Sequence, residues 1–180
     1  MRPDMASPEK VSTHLRQIGS ELSELARLAG DPEAMASRAP SVSGWSVGEH
    51  VEHLAASDQL ILDGLQKIGS DATGGKPGRP NLLGRICLMA GWIPRGRGKA
   101  PEATVPNGAT REEILQRIRL QEDGFAALVD SAESLATTRA TVSHPVFGRL
   151  GPADWLRFVE IHHHHHLKIV RQIRRAAGVG

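Results

Sequence analysis

Five consecutive histidines, residues 162–166, are the clearest candidates for chemistry in this chain. They lie within the segment EIHHHHHLKIV and fourteen residues follow them, whereas a purification tag normally ends a chain. A helix turns by 100° per residue, so five adjacent side chains cannot share one face. The first question is therefore which of these histidines face the core.

The apolar stripe of the surrounding helix selects two of them. Spacings of three and four residues connect Trp155, Val159, His162, His166, Ile169, Ile173 and Ala176. We therefore expect His162 and His166 to face the core, His163 and His164 to face outward, and His165 to lie on the flank. Imidazoles at positions i and i+4 lie about 5–6 Å apart at Cβ, which allows both rings to reach one metal ion at about 2.0–2.1 Å.

A metal site needs at least one further protein ligand, and four other histidines are candidates. They are His14, His50, His53 and His144. By helical angle, His50 lies at the edge of the apolar stripe of its helix, and His53 lies further round. The pattern slightly favours His50, and spacing alone leaves the choice open.

Four helical segments position these side chains. The first begins with SPEKV and has Ser7 as its N-cap; the second and third begin with capping boxes at Ser46 and Thr110; the fourth begins with GPADW. No alternation typical of strands is present. The pattern predicts an all-α antiparallel bundle that forms a single domain over residues 1–180, with a long insert, residues 71–109, after the second helix.

The composition limits the class of protein. Lys and Arg number 22 against 20 acidic residues, a balance too even to indicate nucleic-acid binding. The single Cys87 excludes an intrachain disulfide and fits a reducing compartment. No apolar run approaches the roughly 20 residues that a membrane helix needs, and the N-terminus lacks the apolar region of a signal peptide. The sequence predicts a cytoplasmic protein with neither nucleic acid nor membrane as a partner.

The segment WSVGEHVEHLAASD resembles the second-helix motif of the DinB-like superfamily, a group of metal-binding four-helix bundles. That motif has a tryptophan, a capping Ser or Thr, and a histidine eight residues after the tryptophan, followed by leucine. In this chain these positions are Trp45, Ser46, His53 and Leu54. The family's last helix carries H-x-x-x-H, which His162 and His166 supply here. The segment HPVFGRLGPADWLRF also resembles the stretch before that helix in one branch of the superfamily.

The resemblance implies an up-down-down-up four-helix bundle with a metal site formed by His53, His162 and His166. It thus favours His53 over His50 as the third ligand. It also implies a divalent ion, with zinc and nickel as the leading candidates. Many relatives have a glutamine three residues after the last ligand, where this chain has Ile169.

Some DinB-like proteins join a small thiol, such as mycothiol, bacillithiol or glutathione, to an electrophile. The resemblance therefore implies a metal-dependent thiol transferase acting on a small-molecule substrate. Hydrolysis by metal-activated water is a second hypothesis, and a bundle whose metal has no catalytic role is a third. Related bundles often dimerise, and the apolar segment ICLMAGW, residues 86–92, could be exposed, so a homodimer is expected.

Several other residues permit two interpretations. From Gly75 to Pro101 the insert has six cations and no acid, which fits either a solvated loop or an anion-binding lip over the site. Cys87 is interpreted as a buried small hydrophobe, and His144 as a loop residue bonded to the backbone rather than a fourth ligand. Asp58 falls in the apolar stripe of the second helix, where it either orients a ligand histidine or faces a wet end of the bundle.

Overall fold

Helices form nearly all of the regular structure in the computed structural model, which describes residues 7–70, 77–96 and 99–179. In chain order they are α1 (Pro8–Ala29), α2 (Pro32–Ala36), α3 (Val47–Ser70), α4 (Leu82–Ala90), α5 (Arg111–Ala127), α6 (Ala132–Thr137) and α7 (Pro152–Ala177). Short 3₁₀ turns cover Glu102–Thr104 and Leu128–Ser131, and two strands, β1 (Val142–His144) and β2 (Gly148–Leu150), precede α7. The prediction of an all-α fold is confirmed, with this small hairpin as an addition.

The long helices begin at the predicted caps. The Ser7 hydroxyl accepts a hydrogen bond from the Lys10 backbone N–H at the start of α1. At the start of α3, Ser46 and Glu49 exchange two hydrogen bonds, of 2.7 and 3.1 Å, in a complete capping box. A second capping box opens α5 at Thr110. Each cap satisfies backbone donors that the first helical turn leaves free, and each contributes about 1 kcal/mol to the free energy of unfolding.

Side-chain contacts between α1 and α7 show that these two helices run parallel. They join Glu21 to His163 and Glu24 to Arg171, so that residue numbers rise together along both helices. Contacts between α3 and α7 have the opposite order. They join His50 to His166 and His53 to His162, so these helices are antiparallel.

The remaining long helix, α5, runs antiparallel to α1, because Ser23 bonds to Glu122 whereas the carbonyl of Gly30 bonds to Arg111. The four long helices are therefore arranged up-down-down-up, as the resemblance implies. Their shared interior is mainly apolar, with buried histidines and carboxylates among the aliphatic side chains. The largest fully buried side chains are Phe125, Ile18, Leu22, Leu25, Leu54, Leu65, Ile118, Leu135, Leu150, Leu156, Ile161 and Leu167.

The hairpin before α7 is absent from the sequence-based prediction. Its strands pair Val142 with Leu150 and His144 with Gly148. Strands of three residues are too short to show a period of two, which explains why the pattern did not reveal them. Gly148 has φ +83°, and a Cβ there would lie 3.0 Å from the backbone nitrogen of Asn81, so this turn requires glycine.

The insert contains the short helix α4. This helix buries Cys87 and Leu88 against the bundle. Its other face leaves Leu82, Ile86 and Met89 exposed, at 72%, 55% and 82% of their surface. Within the described parts of the chain, no helix has the length and apolar character needed to cross a membrane.

Candidate metal centre

Three buried histidines meet inside the bundle. His53 comes from α3, and His162 and His166 come from α7, one helical turn apart. One ring nitrogen of each histidine lies within 4.8 Å of a ring nitrogen of the other two, and His53 Nε2 is 3.1 Å from His162 Nε2. The structure thus brings together the three residues predicted as ligands, and the group contains His53 rather than His50.

Burial keeps these imidazoles neutral. It lowers the pKa of His53, against the opposing effect of a hydrogen bond to the Thr104 carbonyl. Burial, with neighbouring histidines adding to it, holds the pKa of both His162 and His166 well below the usual value. A neutral imidazole keeps one nitrogen lone pair, so all three rings are in the form that binds a metal ion at neutral pH.

The insert fixes the orientation of His53. The Nδ1 atom of this ring lies 2.7 Å from the backbone carbonyl of Thr104, in the 3₁₀ turn of the insert. A carbonyl only accepts hydrogen bonds, so Nδ1 carries the proton and Nε2 keeps its lone pair. Trp45 packs beside the ring at a centroid distance of 5.1 Å. His53 therefore presents an unprotonated nitrogen to the cluster.

His50 contacts the cluster from outside it. Its Nδ1 lies 2.8 Å from Nδ1 of His166, and its Nε2 lies 3.0 Å from the Ser43 hydroxyl. Burial, and then the neighbouring His53, lower the pKa of His50 to about 4, so it too is neutral. When Nδ1 of His166 donates to His50, the lone pair of His166 lies on Nε2. Such outer hydrogen bonds hold metal-ligating histidines in one tautomer and orientation.

The donor set fits a divalent transition-metal ion. Neutral imidazoles suit zinc, copper, iron and nickel, and a site with three protein ligands would leave a coordination position open. Nδ1 of His162 is buried and has no hydrogen-bond partner among the described residues. Its ring is instead held by Phe158, which stacks on it at a centroid distance of 5.2 Å and an angle of 17°.

The prediction that His163 faces outward is wrong. The residue is fully buried, and its ring bridges two carboxylates, with Nδ1 2.9 Å from Glu21 and Nε2 2.7 Å from Asp58. Burial acts to lower the pKa of His163, but the charge of Asp58 and the hydrogen bonds that the ring donates to both carboxylates outweigh it and raise the pKa to about 10. His163 is therefore an imidazolium in the middle of the bundle. His164 does face outward, with 56% of its side chain exposed.

Neither interpretation of Asp58 describes its position. It is fully buried, away from any wet end of the bundle, and its hydrogen-bond partner is His163 rather than one of the three clustered histidines. His14 is likewise engaged elsewhere. Its Nδ1 lies 2.7 Å from Glu160, which also pairs with Arg157 at 2.9 Å. The group that sequence reasoning missed is thus a set of buried ion pairs between α1, α3 and α7.

A cavity of about 550 Å³ opens beside the histidine cluster. His53, His162 and His166 all line it, and most of the remaining wall is apolar. Cys87 is buried, as expected, and lines this cavity as well; burial raises the pKa of its thiol. His144 also lies on the wall and accepts two backbone hydrogen bonds, as a loop residue rather than a member of the cluster.

The cations of the insert have separate roles. Arg95 donates to the side chain of Gln172 and to the carbonyl of Val42, so it ties the insert to the bundle. Lys99 lines the cavity and is exposed. Lys76 and Arg97 lie outside the described residues. Of the four described cations, Arg79, Arg85, Arg95 and Lys99, only Lys99 lines the cavity, as the expected anion-binding lip requires.

A family model for the DinB superfamily matches residues 14–170 of the chain. The match covers α3, α5, the insert and all three clustered histidines, together with α1 from residue 14 and α7 up to residue 170. No curated protein and no solved structure matches the chain.

Proposed function

The chain belongs to the DinB superfamily, and on that premise we propose that it is a metal-dependent transferase that joins a small thiol to an electrophile. The metal is a divalent ion, zinc or nickel, held by His53, His162 and His166. The observation that carries the proposal is the position of the three-histidine cluster on the wall of a cavity large enough for a small molecule. A ligand site buried without such a cavity would have favoured a purely structural ion.

The residues around the cavity support a reaction in which water is kept away. Trp45 and Phe158 cover two sides of the cluster, and the cavity walls are mainly apolar. A divalent ion at the cluster would supply a positive charge that lowers the pKa of a thiol. The thiol would lose its proton to solvent, its sulfur would form a bond to the electrophilic carbon, and the leaving group would depart with the electron pair of the broken bond.

Metal content is the first test of this proposal. Mass spectrometry of protein made without a tag should find about one zinc or nickel ion per chain. His53→Ala, His162→Ala and His166→Ala should each lose it, because two imidazoles bind too weakly. His164→Ala is the matched control from the same histidine run, because its exposed side chain lies outside the cluster. Equal metal content in all of these variants would mean that the run binds metal as a tag does.

Activity is the second test. The metal-loaded protein should accelerate the reaction of glutathione, bacillithiol or mycothiol with 1-chloro-2,4-dinitrobenzene, which releases chloride, and His53→Ala should abolish the acceleration. Hydrolysis of 4-nitrophenyl acetate without added thiol separates the alternative, a metal-dependent hydrolase. Metal binding without turnover in either assay would support the second alternative, a non-catalytic metal-binding bundle.

A further inference from the structure

His144 lies on the cavity wall at a position that the histidine cluster does not explain. It is the last residue of β1 and is not part of the three-histidine group. Phe147 stacks on its ring at a centroid distance of 4.6 Å, and Phe158 contacts the ring edge-on at 4.6 Å. Because Phe158 also stacks on His162, it lies between His144 and the cluster. His144 is thus a neighbour of the cluster with its own place on the wall.

The backbone fixes the tautomer of His144. Its Nδ1 lies 3.1 Å from the N–H of Val146 and 3.0 Å from the N–H of Phe147. Both groups are donors, so Nδ1 must be the unprotonated, accepting nitrogen. Burial lowers the pKa of His144 to about 4, so the ring is neutral at physiological pH and its single proton is on Nε2. No hydrogen bond joins Nε2 to another described residue, which leaves a free N–H donor on a side chain that lines the cavity.

The rest of the wall limits the chemistry of a ligand. The hydroxyls of Ser57 and Thr104 already donate to the backbone carbonyls of His53 and Pro101. No described residue that lines the cavity is an aspartate or a glutamate, and Lys99 adds a positive charge. Outside the histidine cluster, His144 and Lys99 therefore offer donors to a ligand, in a cavity whose wall is mainly apolar. Such a wall favours a neutral or anionic molecule over a cation.

We propose that the Nε2–H of His144 donates a hydrogen bond to a carbonyl or carboxylate oxygen of an apolar substrate in this cavity. The inference rests on the proposed function in one respect: the cavity beside the cluster is taken as the substrate site. A donor held by two backbone bonds needs no reorganisation when the substrate binds. His144 therefore selects acceptor-bearing molecules among apolar ones, and its hydrogen bond draws electron density from a bound carbonyl.

Two probes of nearly the same shape test this donor. Benzophenone has a carbonyl oxygen where 1,1-diphenylethylene has a methylene group, so the pair differs in hydrogen-bond acceptance and little else. Dissociation constants come from titrations followed by ¹H–¹⁵N NMR. The chelator-treated wild-type protein should bind benzophenone about three- to tenfold more tightly, the ratio that one hydrogen bond supplies. Chelation removes any preference that a metal ion would create, so a failed metal site does not mask the result.

Two variants identify the donor. His144→Phe removes both ring nitrogens, and His144→Asn keeps an acceptor for the two backbone N–H groups while its shorter amide stops short of the Nε2 position. Both should bind the two probes equally well. The control His164→Phe, which changes an exposed histidine in the same way, should keep the preference. A wild-type protein that binds neither probe, or shows no preference, overturns the proposal, as does a preference that survives in either His144 variant.

Discussion

Replacing His163 with phenylalanine should remove about 3–5 kcal/mol from the free energy of unfolding. The ring of His163 is fully buried between the carboxylates of Glu21 and Asp58, at 2.9 and 2.7 Å. Phenylalanine fills nearly the same volume, so the loss is electrostatic rather than a packing defect. The reason is that a buried charge without its partner is much less stable than the intact pair.

Asp58 makes the largest contribution to this loss. One of its oxygens bonds to His163, and the other, Oδ1, has no hydrogen-bond partner among the described residues. Glu21 retains other partners when His163 is removed, because it also bonds to Gln17 and His164, both at 3.0 Å. The variant therefore leaves one carboxylate fully buried and unpaired. A second change, Asp58→Leu, should recover most of the lost stability, since it removes that charge and adds apolar packing.

The assay is unfolding by urea and by heat, followed by circular dichroism, with excess chelator present so that metal binding does not contribute. A loss of 3–5 kcal/mol is a large part of the stability of an ordinary domain and lowers the melting temperature by about 6–20 °C. His164→Phe is the matched control, because this neighbouring side chain is 56% exposed and its ion pair with Glu21 is worth less than about 1 kcal/mol. If His163→Phe costs no more than His164→Phe, the buried triad does not stabilise the bundle.

Three further predictions concern residues near the site. His50→Phe should weaken zinc binding by about 10- to 100-fold in a chelator competition, because it removes the hydrogen-bond partner of His166 Nδ1. An unchanged affinity would show that this hydrogen bond does not orient His166. The folded-state pKa of His144, about 4, lies below its unfolded value near 6.5, so between these pH values the unfolded chain binds a proton that the folded chain does not. The free energy of unfolding of the wild-type protein, measured with urea, should therefore decrease as the pH is lowered from 6.5 to 4, and that of His144→Asn should decrease less. Light scattering should find a dimer that Met89→Asp dissociates, because the exposed stripe of α4 is apolar, and a monomeric wild-type protein would contradict this.

The frame of the fold was predictable because its signals are local. Ser46 with Glu49, and Thr110 with Glu113, form the capping boxes that four-residue patterns indicate. The apolar stripe of α7 correctly predicted that His162 and His166 face inward, since both are buried. Each of these signals depends on residues within one or two turns of a helix, where spacing determines geometry.

The choice between His50 and His53 could not come from helical angle. In α3, every residue from His50 to Ala55 is buried, because the insert covers the side of the helix that the stripe leaves open. The Thr104 carbonyl that orients His53 comes from that insert, fifty-one residues away in the chain. The helical segment from residue 50 to residue 55 therefore has no outward face, and helical angle cannot distinguish His50 from His53 there.

The outward prediction for His163 failed for the same reason, since α7 is also buried on more than one side. Helix α7 packs against both α1 and α3, so its buried sector is wider than one apolar stripe. A polar residue within such a sector requires a partner, and Glu21 and Asp58 both occupy stripe positions of their own helices. Two acids in the apolar stripes of two helices and a run of histidines on a third helix are complementary. Polar side chains at apolar-stripe positions of different helices therefore predict a buried contact between those side chains. When each helix is considered alone, such residues are predicted to face solvent or are left without a role.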